Sequence, residues 1–290
     1  MTAPGAHAPA ESLPPRETPG RRRTLLMGVV NVTPDSFSDG GRFLRTEDAV
    51  AQGERLLAAG ADILDIGGES TRPGHRPTPE AVQIERVVPV IAALRARHAA
   101  PISMDTTWSS VARAALDVGA TWVNDTKALR DDEDLAGLAA RSGATLVLMH
   151  RFEPARQQGG FPAPGRELAR LVGERLAERA AIAMERGVAR ERIVLDPGIG
   201  FGTLPEDAVA LHAFCDELRS TGFPLLFGTS RKSFLGALTG RAVHEREFAT
   251  AASVALLARA GVEVLRVHDV AAMRDVVAVA DAIRWMEARP

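Results

Sequence analysis

Short apolar runs that end in polar residues recur along the 290-residue chain. Asn31, Asp65, Asp105, Asn124-Asp125, His150, Asp196, Ser230-Arg231-Lys232-Ser233 and Arg266-Val267-His268-Asp269 each close or follow one such run. In an α/β barrel the active site is built where strands end and loops begin. Asp105, Asn124 and Asp196 are short acceptor or mixed groups. Converging on one mouth, they can hold a flat heterocycle with adjacent N–H donors, because a carboxylate accepts two parallel hydrogen bonds from an amino-amidine edge. Arg266 and His268, two residues apart, fall on one side of a strand. With Asn31 on the first strand they suit an oxyanion or a metal–phosphate group, since magnesium takes few protein ligands and completes its shell with phosphate oxygens. Ser230 or its neighbour is placed to cap a following helix, with Lys232 and Ser233 in the first turn, an anion site for a second substrate's carboxylate. Each group also has a plainer reading: helix capping for Asp105, Asn124 and Asp196, and local pairing of His268 with Asp269.

The elements that must position these groups follow from hydrophobic patterning. Eight apolar runs, 24–30, 61–66, 101–105, 121–124, 144–149, 192–196, 225–228 and 262–267, alternate with longer amphipathic stretches. Nearly continuous apolar runs such as Leu146-Val147-Leu148-Met149 and Ile63-Leu64-Asp65-Ile66 suit parallel strands covered on both faces. Periodicity predicts helices over 47–59, 79–98, 165–187, 206–220 and 269–287. Gly60 is expected as a left-handed C-terminal cap, Thr78 as N-cap before Pro79, and Pro89 as a kink or restart. Eight strand–helix units match a single-domain (β/α)8 TIM barrel, which needs about 250 residues. A doubly wound open sheet is the alternative that alternation alone leaves standing. Residues 1–23, rich in Pro, Ala, Gly and Arg, read as a disordered tail ahead of a domain spanning 24–290. Arg21–Arg23 before Leu25–Val30 faintly resembles the start of an export signal, but the run passes into Asn31-Val32-Thr33-Pro34 with no small-residue cleavage site.

Composition excludes several classes. With 35 basic and 37 acidic side chains and a net charge of −2, the chain has no electrostatic footprint for nucleic acid or a membrane surface. No apolar run approaches the roughly 18–20 residues of a membrane span. One cysteine, Cys215, cannot form an internal disulfide, so a cytoplasmic setting is expected. Gly198, Gly200 and Gly202 form G-x-G-x-G, which is not the dinucleotide spacing. Only two lysines (Lys127, Lys232) and two asparagines (Asn31, Asn124) occur, and three of these four fall at strand ends.

Beyond these physical readings, Met27–Gly41 (MGVVNVTPDSFSDGG) resembles the first signature of the dihydropteroate synthases, and Asp65–Gly74 (DIGGESTRPG) the second. The resemblance continues through Asp105-Thr106, Asn124-Asp125, Leu195–Gly202, Ser230–Ser233 and Arg266–Asp269, and covers residues 24–287. It implies a (β/α)8 pterin-binding domain, a transferase that condenses 6-hydroxymethyl-7,8-dihydropterin diphosphate with 4-aminobenzoate. The products are 7,8-dihydropteroate and diphosphate, in folate biosynthesis. It implies that Asp105, Asn124, Asp196 and Lys232 bind the pterin, Asn31 binds Mg2+, and Arg266 and His268 contact the diphosphate. Lys232, Asp105, Arg266 and His268 become the catalytic set. Thr71, Arg72 and Pro73, with Phe37 and Asp39, are implied to close over the site beside Phe201, Ser230 and Ser233. A homodimer is implied as well. A pterin-binding homologue without synthase activity is the alternative; a corrinoid-dependent methyltransferase on the same barrel would need a cobalamin module, which the sequence lacks. The chain departs from the family pattern at Thr107-Trp108, Thr126-Lys127, Arg151–Glu153 and Thr203.

Overall fold

The structure, a computed structural model, describes residues 23–33, 42–69, 77–152 and 160–288. Phe37, Asp39, Thr71, Arg72, Pro73, Glu153 and the tail through Arg22 lie outside the described residues. Arg23, the last residue of the expected tail, hydrogen-bonds through its guanidinium to Asp62.

The strands are β1 (Leu25–Asn31), β2 (Ile63–Gly67), β3 (Ile102–Asp105), β4 (Trp122–Asp125), β5 (Thr145–Met149), β6 (Ile193–Asp196), β7 (Leu226–Phe227) and β8 (Val264–Val267). All pair in parallel, in the order β6-β5-β4-β3-β2-β1-β8-β7. The two end strands of that order also meet, through a parallel bridge between Leu195 and Leu225 and a hydrogen bond from Leu195 N to Pro224 O (2.9 Å). An open sheet would leave both edges free, so this ring decides for the TIM barrel.

Ten α-helices are described: α1 (Arg42–Ala58), α2 (Glu80–Arg95), α3 (Ser109–Asp117), α4 (Asp134–Ser142), α5 (Arg166–Glu185), α6 (Pro205–Ala213), α7 (Cys215–Arg219), α8 (Ser233–Thr239), α9 (Glu247–Ala260) and α10 (Val270–Glu287). The helix expected over 206–220 is two, because the chain leaves helical angles at Phe214 (φ −115°, ψ 36°). Thr78 does not cap α2; its N–H donates to Glu69 Oε1 instead, and α2 continues through Pro89. Gly60 does take positive φ, 102°. None of the described helices is long and apolar enough to cross a membrane.

Two cores follow from the strand period. The larger lies between strands and helices. The smaller fills the barrel interior: Leu25, Met27, Ile63, Trp122, Val147, Val194, Leu226 and Val264. Strand side chains alternate between faces, so the next inward position lies two residues on. That step leads from Ile63 to Asp65, Trp122 to Asn124, Val194 to Asp196 and Val264 to Arg266. The barrel is therefore plugged by apolar side chains below and floored by polar ones at its C-terminal mouth.

Candidate active site

Asp65 anchors that floor. It is fully buried on β2, and its Oδ2 accepts hydrogen bonds from Arg266 Nε (2.6 Å) and Asn124 Nδ2 (3.2 Å). Arg266 Nη2 reaches Asp105 Oδ2 at 3.1 Å, so one guanidinium from β8 spans carboxylates on β2 and β3. Burial alone would lower the Arg266 pKa, but Asp65 and Asp105 hold it above its ordinary value. Asp105 is pushed up by burial and by Asp65, against the pull of Arg266. Asn124 spends its amide N–H on Asp65, which leaves its buried Oδ1 without a partner.

Asp196, at the end of β6, accepts Gly198 N at 2.8 Å on one oxygen, and burial raises it to about 6 despite nearby Lys232 and Arg266. Lys232 faces it, with Nζ 4.2 Å from the Phe201 ring centroid, a cation–π contact. The lane for this side chain exists because residue 200 is glycine: a Cβ there, at φ 85°, would sit 2.7 Å from Lys232 Cδ. Burial and Arg266 push Lys232 down to about 8, with Asp196 and Asp105 restoring part of the shift. His268 is pushed down to about 4 by burial and by Arg266, Arg231 and Lys232, so it is neutral at pH 7. Ser230 Oγ accepts from His268 N (3.3 Å) and lies 3.0 Å from Nδ1. The hydroxyl proton can then serve Nδ1, which assigns the ring proton to Nε2.

A cleft, open at its mouth, gathers Asp105, Asn124, Asp196, Phe201, Ser230, Lys232, Arg266 and His268. Thr126, Met149, Ile199 and Gly228 complete its wall. These four are absent from the sequence-derived set; Asp65 beneath them was marked only as a polar residue of the second strand, with no binding role assigned. Asp65 had a readable signal, an acid inside an apolar run; the wall residues had none.

Two sequence readings change. Ser230 holds His268 and does not cap a helix; the N-cap position of α8 falls to Lys232, expected in the first turn, and carries no side-chain cap. His268 does not pair with Asp269, whose Oδ1 accepts from Ala272 N to cap α10. Ser233 is exposed at the start of α8, outside the cleft wall. Asn31 is exposed at the end of β1. The departures from the family pattern have local partners. Lys127 Nζ and Thr107 Oγ1 meet on Asp131 Oδ2, at 2.5 and 3.0 Å, tying two mouth loops together. Thr203 Oγ1 accepts Gly200 N at 2.8 Å, bracing the turn that makes room for Lys232.

Residues 27–268 match the family described as pterin binding enzyme. The chain belongs to this family. Within it, the chain is similar to dihydropteroate synthases. That of a Synechocystis strain is 40% identical over 90% of this chain and 91% of the relative, and that of Streptococcus pyogenes is 40% identical over 88% and 93%. The dihydropteroate synthase structure from Xanthomonas albilineans with 4-aminobenzoic acid superposes with a TM-score of 0.84 at 42% identity, covering 93% of this chain and 95% of that one. That from Anaplasma phagocytophilum with bound 6-hydroxymethylpterin-monophosphate gives 0.84 at 36%, covering 90% and 99%.

Proposed function

We propose that the cleft condenses 6-hydroxymethyl-7,8-dihydropterin diphosphate with 4-aminobenzoate to give 7,8-dihydropteroate and diphosphate. The observation that carries the reading is the pairing, in one cleft, of a buried acceptor set with two groups suited to an anion. Asp196 and the unpartnered Asn124 Oδ1 accept from the pterin's N–H edge, with Asp105 beside them. Lys232 stands beside the pterin acceptors, and Arg266 and the Nε2–H of His268 face the diphosphate end. The methylene C–O bond to diphosphate breaks, with both electrons leaving on oxygen; the electron-rich pterin stabilises the resulting cation. The amine nitrogen then supplies the pair for the new C–N bond and releases a proton to solvent. The aryl amine needs no prior deprotonation, which agrees with a neutral His268 that donates and does not act as base. Cationic side chains stabilise the departing charge where it develops.

The donor set at the mouth fits Mg2+. A Cβ on Gly67 would lie 3.8 Å from both Asn31 Oδ1 and Asp105 Oδ2, so its absence leaves these two oxygens facing one gap. Magnesium takes few protein ligands and completes its shell with substrate phosphate oxygens, so two such oxygens suffice. Bound there, Mg2+ would neutralise diphosphate charge. Thr71, Arg72, Pro73, Phe37, Asp39 and Ser233 are assigned to the aminobenzoate side through the family motifs.

Purified protein given both substrates and Mg2+ should release diphosphate only when 4-aminobenzoate is present, with pteroate formed in equal amount. Pterin binding by calorimetry without turnover would favour the non-catalytic reading instead. We also propose a cytoplasmic homodimer. Supporting it are exposed apolar side chains at helical spacing on α10, Val279, Ile283 and Met286, beside exposed Leu256 of α9. Light scattering should give twice the chain mass; a monomer at micromolar concentration would refute it.

A further inference from the structure

We infer that Arg246 is a positioning residue that braces the turn carrying Lys232 and so sets the ammonium in the cleft. The inference rests on the reading that Lys232 binds the pterin substrate.

Arg231, between Ser230 and Lys232, has φ 61°, a left-handed conformation uncommon for a side chain of its size. Such a conformation persists only where surrounding structure holds it. Two residues do so, one inside α9 and one at its N-cap. Buried Thr250 accepts Arg231 N on its Oγ1 at 3.2 Å. Arg246 Nη1 donates to Arg231 O (3.0 Å) and Lys232 O (3.3 Å), and its Nε to Arg241 O (3.1 Å). Among the described residues its guanidinium pairs with no carboxylate; its hydrogen bonds go to backbone carbonyls around this turn.

An independent observation comes from α8. Gly236 lies in the middle of this seven-residue helix, where glycine disfavours helix formation. A Cβ on Gly236 would lie 2.5 Å from Arg246 Cζ, so the glycine is what lets the guanidinium lie against the helix. The turn, the arginine and the glycine therefore form one device. Its output is Lys232, whose stem runs through the lane left by Gly200 to the Phe201 face.

The scarcity of lysine supplies a substrate-free readout. Reductive methylation with 13C-formaldehyde labels only Lys127, Lys232 and the N-terminus, so Lys232 has its own resolvable NMR signal. In the wild-type protein that signal should titrate near 8, and in Arg246→Met it should move toward the ordinary lysine value of 10.5. On unlabelled protein, affinity for the pterin diphosphate measured by calorimetry should fall tenfold or more. Gly236→Ala, which touches nothing in the cleft, should reproduce both changes by displacing the guanidinium. The double variant should be no worse than either single one. A lowered melting temperature in both variants, with the Lys232 signal and pterin affinity unchanged, would overturn the inference and leave Arg246 merely structural. Absence of pterin binding by the wild type would overturn the functional reading, while the NMR signal would still report whether Arg246 sets Lys232.

Discussion

Arg266→Ala should cost about 3–5 kcal/mol of folding stability at neutral pH, a larger penalty than the loss of an exposed ion pair, because it strands two carboxylates in a desolvated floor. Asp65 is fully buried and Asp105 nearly so, and Arg266 is the cation that bridges them. The pH dependence has a definite sign. Burial and Asp65 already raise the Asp105 pKa; without Arg266 it rises further. A carboxylate whose folded pKa lies above its unfolded value loses stability as pH climbs from the unfolded pKa to the folded one. The deficit of the variant should therefore be largest near pH 8 and shrink toward pH 5. Arg266→Lys keeps a charge but cannot span both carboxylates as a planar fork does, and should recover only part of the loss. Thermal melts at the two pH values test this; a deficit independent of pH, or a melting temperature equal to wild type, would contradict the role assigned to the bridge. Under the proposed function the guanidinium also meets the diphosphate, so diphosphate affinity should fall in both variants.

How much of this floor can be read from sequence depends on whether the relevant information is local. The strand runs and their polar ends are local, since a strand buried on both faces must be apolar until the chain leaves the sheet, and the first polar residue marks the rim. Asn124, Asp196 and Arg266 were legible for that reason, and so was the barrel. Asp65 was harder: it lies within an apolar run, and its importance comes from accepting groups 59 and 201 residues away. Lys127 was marked only by its rarity, and its partner Asp131, four residues on in the same loop, also takes Thr107 of the preceding mouth loop. Ser230 was misread as a cap because a serine before a helix usually is one; tertiary contact with His268 claimed its hydroxyl. The space that Gly200 and Gly236 leave for Lys232 and Arg246 is a property of a neighbour's path, which no spacing rule encodes.

Lys232→Met should separate function from stability more sharply than any other change in the cleft. The ammonium lies over Phe201 facing Asp196, where charge separates as diphosphate leaves, so its removal should lower kcat/KM by about 100- to 1000-fold, the range for one well-placed electrostatic contact. Stability should move the other way. Burial and Arg266 depress the folded pKa of Lys232 to about 8 from 10.5, so the unfolded chain holds its proton more tightly. The resulting penalty is complete below pH 8 and disappears as pH rises to 10.5, which makes the wild type gain stability across that window. Methionine carries no such penalty, so at pH 7 the variant should be more stable by about 1–3 kcal/mol, with the advantage gone above pH 10.5. Wild-type kcat/KM should correspondingly decline with one ionisation near pH 8, and Lys232→Arg, which keeps its charge, should move that alkaline limb upward even at reduced rate. If Lys232→Met is destabilised at pH 7, or if the alkaline limb survives in Lys232→Arg, the ammonium is not the charge that the cleft uses.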